Sequence, residues 1–261
     1  MTFDEVLASI DGKGHGILPE GWGQGRALFG GLVGAVLFDH LEKSVACGRP
    51  LRSFSLSFVA PAVAGPVVLS SEVFREGKSV MQAMVTARQE DQVVAAMLVS
   101  LGAARDSSVC VAAPTLPKMK TPEESLRFPN IKGVTPDFLN HFDMRYGQGQ
   151  PPYSGSDDAS FCGYMGFCEP PQTMTTAALI ALVDTWPPSV LSMLRTPAPA
   201  SSLTWTMDLL DDPATRPADT LWRYQVETDQ CSEGYGQSRA CIWDAQGKPM
   251  ALSRQTFTVF A

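Results

Sequence analysis

Two short runs of the chain alternate hydroxyl-bearing and apolar residues with a period of two. In the first, Ser53, Ser55 and Ser57 interleave with Phe54, Leu56 and Phe58; in the second, Ser202, Thr204 and Thr206 interleave with Leu203, Trp205 and Met207. That period predicts half-buried strands, because successive side chains of a strand point to opposite faces. Each run follows an apolar helical stretch interrupted by one aspartate, "AVLFDHL" with Asp39 and "IALVDTW" with Asp184. Further β-rich segments follow. Their turns are expected at Glu76-Gly77 and Glu90-Asp91 in the first half, and at Glu233-Gly234 and Gln246-Gly247 in the second. The chain therefore repeats itself: a helix and then about four strands, twice, with room for one more short strand before each helix.

A single apolar helix buried against a curling antiparallel sheet accounts for each half. One such unit alone leaves a sheet edge and part of its helix exposed, so two units joined into a continuous sheet are the physically sensible arrangement. The predicted class is α+β. A first unit is expected over 1–105, a Pro-, Lys- and Thr-rich linker over 106–136, and a second unit over 137–261. Within the linker, "PEESL" predicts one helical turn. The stretch "GQGRALFGGLVGA" leads into the first helix. It lacks the lysine and hydroxyl of a Walker loop, and no strand precedes it as a dinucleotide fingerprint requires. Its glycines are expected to serve packing, with Gly30, Gly31, Gly34 and Ala35 letting the backbone approach the sheet closely.

Composition narrows the function classes. The 261 residues are 44% hydrophobic and 18% charged, enough to bury a sizeable core. A net charge of −7 without a basic cluster argues against nucleic acid as a partner. Six cysteines without a CxxC read as reduced, mostly buried thiols. "MTFDEVLASI" has neither the basic nor the apolar region of a signal peptide. "TTAALIALVDTW" is too short to span a bilayer and carries Asp184. A cytoplasmic protein without membrane insertion is the expectation. The three histidines lie far apart, which discourages a His-rich metal site or a His-dependent triad, and no metal or cofactor is expected. Asp184 follows seven consecutive apolar residues, Ala177 to Val183. A helix apolar all round is a buried one, and an ionised carboxylate there costs several kcal/mol unless it is paired. The alternative is a carboxylate solvated at the helix end, just before Pro187 and Pro188.

The segments "FGGLVGAVL", "SFSLSFVAPA" and "VFREGKSV" in the first half, with "LVDTWPP", "SSLTWTMDL" and "ALSRQTF" in the second, resemble the double hot-dog acyl-CoA thioesterases. The resemblance spans nearly the whole chain outside the linker, and the first-half motifs are the more specific. It implies two antiparallel sheets, each wrapped around a central helix and joined into one continuous sheet. It also implies hydrolysis of acyl-CoA to free acid and CoA, and a homodimer. The catalytic groups it implies are Asp184 on the second helix, Ser202 on the following strand and Gln255 on the last strand. Ser202 stands where some members carry Thr. Asp39 stands where the pattern is usually small and apolar, which leaves open whether the first half is also active.

For thioester hydrolysis Asp184 is the candidate general base, its pKa raised by burial toward the working pH. Ser202 and Gln255 carry no base strength and would hold the water and the carboxylate in line. Strand alternation sets Ser202 on the face opposite Leu203; the pattern leaves open whether that face is the reactive one. The free amides at the first helix start, Gly31 and with it Gly30, are candidate oxyanion donors. Arg26, Arg52, Lys78 and Arg254 are candidates for the phosphates of CoA, and Met174, Trp186, Trp205 and Met207 for limiting acyl depth. Two rivals remain. An acyl-thioester hydratase or dehydratase would need an acid–base histidine, for which His40 is the one on a core helix. A non-catalytic acyl-CoA-binding protein would need no base at all.

Overall fold

The two alternating runs become neighbouring antiparallel strands at the centre of one sheet. The computed structural model describes residues 1–131 and 133–261; residue 132, inside the expected linker, lies outside them. The first half runs α1 (Phe3–Ala8), β1 (His15–Leu18), β2 (Gly23–Gln24), β3 (Ala27–Leu28), α2 (Gly30–Val45), β4 (Leu51–Phe58), β5 (Gly65–Glu76), β6 (Val80–Gln89) and β7 (Gln92–Gly102). The second runs β8 (Leu126–Arg127), β9 (Phe142–Gln148), β10 (Ser160–Phe167), α3 (Thr176–Val183), β11 (Ala200–Leu209), β12 (Trp222–Ser232), β13 (Tyr235–Trp243) and β14 (Pro249–Val259).

Twelve strands form one sheet in the order β1-β5-β6-β7-β4-β11-β14-β13-β12-β10-β9-β8, while β2 and β3 make a small separate hairpin. Outward from the β4–β11 seam, each half contributes its first strand after the helix, then its last, third and second. The strand before the helix comes next, and β9 and β8 extend the second side only. At the seam Thr206 pairs with Ser55, and the flanking pairs exchange places, Ser53 with Asp208 and Ser57 with Thr204. A local two-fold therefore passes by the Ser55–Thr206 pair. This is the tandem hot-dog arrangement, and the repeat in the sequence is a repeat in the fold.

Both helices lie inside the sheet's concave face. α3 buries every residue from Ala177 to Val183, and α2 buries Gly31 to Phe38, His40 and Leu41, while Asp39 is largely buried and Lys43 is exposed. The helices run antiparallel against each other, and the glycines of α2 permit it. A Cβ on Gly31 would lie 2.8 Å from the Ala181 carbonyl oxygen, and one on Gly34 would lie 3.1 Å from Ile180 and 3.3 Å from Leu56. The expectation that these glycines admit the sheet is thus half of the account. At Gly31 the close neighbours are the Phe29 ring and, as backbone, the Ala181 carbonyl of the other helix.

The Pro-rich stretch between the halves is tied down by its carbonyls. Trp243 Nε1 donates to Pro114 O at 3.1 Å, Tyr164 Oη to Lys120 O at 2.8 Å, and Arg145 Nη1 to Pro122 O at 3.1 Å. Proline removes backbone donors and leaves acceptors, so side-chain donors do the anchoring. The turn expected over "PEESL" is a single one, closed by Glu124 N donating to Thr121 O. Among the described residues, no helix is long and apolar enough to cross a membrane.

The helix contact sets a stability test. Intrinsic propensity alone would make Gly31→Ala stabilising by about 1 kcal/mol. The clash with α3 reverses the sign, and the variant is expected to lose about 1–3 kcal/mol in urea unfolding.

Candidate active site

Asp184 sits at the C-terminal end of α3, immediately after the seven buried apolar residues. A carboxylate there faces the carbonyl end of its own helix, the unfavourable end of the dipole. The antiparallel packing supplies the compensation, because the start of α2 reaches the same place. A Cβ on Gly30 would lie 2.9 Å from Asp184 Oδ2 and 2.9 Å from the Phe58 ring. Only a residue without a side chain lets the carboxylate, the aromatic ring and the helix start meet. Gln255 Nε2 donates to Oδ1 at 2.5 Å, and the nearby Gly31 amide also favours the charged form. Burial nonetheless dominates and pushes the Asp184 pKa up to about 7, against the lowering effect of those two donors. The group is enclosed by protein yet partly accessible.

Gln255 comes from β14 and pairs with Trp205 of β11, so both face the helices. Ser202 joins them through an irregularity. The β11–β14 register runs Trp205 with Gln255 and Thr204 with Thr256, then shifts so that Ser202 pairs with Phe257. Leu203 is the extra residue of a β-bulge and is pushed outward. Strict alternation would have left Ser202 on the outer face with Thr204 and Thr206; the bulge turns it inward. The sequence signal is the doubled Ser201-Ser202, which breaks the alternation one residue before Leu203.

Asp184, Ser202, Gln255 and Gly30 line one cavity of about 300 Å³, whose walls also include Phe58, Ala62 and Trp186. Gly31 does not line it. Among the described residues, the Gly30 amide has no hydrogen-bond partner. Neither Trp186 nor the bulge at Leu203 follows from the catalytic pattern alone.

The first half repeats the frame without the chemistry. Its strand β4 carries the matching register shift, with Leu51 paired to Leu101, Ser53 to Ser100 and Phe54 to Val99. Leu51 and Val99 therefore occupy the positions of Ser202 and Gln255. Asp39 is taken by Lys43 at 2.7 Å, one turn along the same helix. A larger cavity of about 530 Å³ lies at that end, lined by Leu51, Arg52, Thr175 and Asp211 among others, with Asp39 outside it. Size does not make it the better candidate. Its lining includes the acids Glu42, Asp211 and Asp212 and the hydroxyls of Thr175 and Thr176, but no side-chain amide, and Asp211 is already held by Arg216 and Lys248.

The remaining candidates separate clearly. His40 is buried beside Gly14, with burial pulling its pKa down, and lies outside the Asp184 cavity. Of the four cations, Arg254 is held by Asp229 at 2.5 Å and Arg52 donates to Gly102 O. Lys78 is exposed at the β5–β6 turn. Arg26 is exposed in the β2–β3 turn between Gln24 and Ala27, both of which line the cavity. Among the described residues no cluster of His, Cys, Asp and Glu is placed to hold a metal ion.

Family models match both halves of the chain. The profile described as "Acyl-CoA thioesterase C-terminal domain" matches residues 122–259, and "Acyl-CoA thioesterase N-terminal domain" matches 18–102. No curated protein matches the chain. Among solved structures, a conserved protein of unknown function with a hot dog fold from Alicyclobacillus acidocaldarius is 24% identical. It superposes with a TM-score of 0.89, covering 99% of this chain and 98% of its own. A candidate thioesterase II from Thermobifida fusca is 21% identical with a TM-score of 0.84, covering 100% and 98%. Acyl-CoA thioesterase II from Mycobacterium marinum is 19% identical with a TM-score of 0.73, covering 88% of each chain. At these identities the structural likeness speaks for the fold.

The raised pKa has a consequence for stability. Between about pH 4 and about pH 7 the folded protein keeps a proton on Asp184 that the unfolded chain has released. Its contribution to stability therefore falls as pH rises through that window. Asp184→Asn removes the dependence. The variant is expected to be more stable than wild type above about pH 7, by on the order of a few kcal/mol, with the gap closing toward about pH 4 in chemical denaturation.

Proposed function

The chain belongs to the double hot-dog acyl-CoA thioesterases, and from that premise we propose that it hydrolyses acyl-CoA to the free acid and CoA with Asp184 as general base. The observation that carries the reading is the Asp184 carboxylate, fixed by Gln255 on the wall of a cavity that also holds Ser202 and the start of α2. Gln255 engages Oδ1, which leaves Oδ2, beside Gly30, for a water. Asp184 takes a proton from that water as its oxygen attacks the thioester carbonyl carbon. The tetrahedral oxyanion forms at the Gly30 amide, where the dipole of α2 favours negative charge. The C–S bond then breaks, and the proton held by Asp184 passes to the departing thiolate.

Ser202 and Gln255 act by position. The Gln255 Oε1 acceptor stays free to hold a water hydrogen while its Nε2 is engaged by the acid. The inward turn of Ser202 at the bulge supplies a hydroxyl on the same wall. Gly30 lines the cavity and Gly31 does not, so the oxyanion role belongs to Gly30 rather than to both glycines. Arg26, exposed beside the mouth, is the cation best placed for a phosphate of CoA. The dehydratase reading has no comparable support, since no histidine lines this cavity among the described residues.

Free-thiol release from a series of acyl-CoAs tests the proposal. Asp184→Asn is expected to lower kcat by about 10²–10⁴-fold with its fold intact. Gln255→Ala and Ser202→Ala should lose less. Ser202→Ala should keep the same pH limb, while Gln255→Ala should move it to higher pH, because the donor it removes lowers the Asp184 pKa. The wild-type kcat/KM should rise with pH through about 7 and then level, as the base loses its proton. An undiminished rate in Asp184→Asn, or loss through Asp39→Asn instead, would falsify the assignment.

A further inference from the structure

The cavity beside Asp184 has to hold an acyl tail as well as the reacting carbonyl. At about 300 Å³ it stands at the small end of ligand sites. The attacking water and the carbon, oxygen and sulfur of the thioester occupy part of that space, and only the remainder is left for the tail.

Of the four bulky side chains that the sequence offers as limits to that tail, only Trp186 lines the cavity. Met174, Trp205 and Met207 are fully buried elsewhere in the core. The Trp186 indole is fixed on its far side by an aromatic block, with ring centroids 4.9 Å from Phe161, 5.0 Å from Tyr146 and 5.8 Å from Tyr224. β10 presents a bare backbone to it, since a Cβ on Gly163 would lie 2.7 Å from the indole. A ring held on these sides has no space to swing away from the cavity, so it does not open to lengthen the pocket. Its Nε1 is buried without a hydrogen-bond partner among the described residues. The ring therefore contributes volume at this place and not a hydrogen bond.

We propose that Trp186 is the floor of the acyl pocket and restricts this chain to short acyl groups, a proposal that rests on the thioesterase reading of the same site. An acyl group longer than the cavity meets close-packed aromatic rings, and the excess methylenes stay in water or force the site apart. Each methylene that fails to fit costs roughly tenfold in kcat/KM.

The experiment is a kcat/KM profile from acetyl- to palmitoyl-CoA for wild type, Trp186→Ala and Trp186→Phe. Wild type should prefer butyryl- and hexanoyl-CoA and fall steeply beyond them. Trp186→Ala should raise the lauroyl-to-butyryl ratio by about tenfold or more, because the space vacated by the indole joins the cavity. Trp186→Phe, which keeps most of the ring, should shift the ratio less. A wild type that prefers palmitoyl-CoA overturns the proposal. So does a folded, active Trp186→Ala with an unchanged ratio.

A binding measurement reads the same floor without turnover. Non-hydrolysable butyryl and palmitoyl thioether analogues of CoA are titrated against wild type and Asp184→Asn. The short analogue should bind tighter to both, and the reverse order overturns the proposal even if Trp186→Ala does not fold. If wild type releases no thiol from any acyl-CoA, the hydrolase reading fails, while the order of these affinities still decides the floor.

Discussion

The site depends on one arrangement: a carboxylate held where the end of one buried helix meets the start of another. The end of α3 alone would be a poor place for Asp184, with seven apolar residues behind it and carbonyls around it. The start of α2 changes this, because its free amides lie close to the same point and its glycines leave room for the acid to approach. Burial still outweighs those donors, so the acid is kept near neutrality rather than locked in its charged form. A carboxylate so poised can both accept and return a proton, which an ordinary surface aspartate does poorly at neutral pH.

That meeting point requires both halves of the chain. The first half supplies the helix start, and the second supplies the acid, the hydroxyl and the amide. Neither half contains the cavity by itself, which gives the duplication a chemical reason besides the covering of a sheet edge. The local two-fold generates an equivalent place at the other end of the helix pair, complete with its own strand bulge. There Leu51 and Val99 fill the positions of Ser202 and Gln255, and Lys43 neutralises Asp39. The backbone frame is thus duplicated, while the side chains that equip it occur once. The bulge matters more than its size suggests, since it decides which residue of β11 looks inward.

Much of the architecture is legible from period and repetition. Ser53 to Phe58 and Ser202 to Met207 alternate because one face of each strand packs on a helix and the other does not. Their pairing across the seam is what joins the halves. Local pattern reaches less far where tertiary geometry intervenes. Alternation counted through Leu203 assigns Ser202 to the wrong face, because a bulge adds one residue without changing composition. The glycines of α2 look like sheet-packing residues until the second helix is in place, since the contact between Gly31 and Ala181 joins positions remote in the chain. The union of Asp184 with Gln255 is of the same kind: strand order brings them together, and no spacing in the sequence announces it.

The most direct test of this account is the titration of the Asp184 carboxyl itself, by infrared difference spectroscopy of wild type against Asp184→Asn. A protonated carboxyl band that disappears with a midpoint near pH 7 is the predicted result. A midpoint near about 4, the range of a solvent-exposed aspartate, would contradict it, because the carboxylate would then be neither enclosed nor poised to exchange a proton with water.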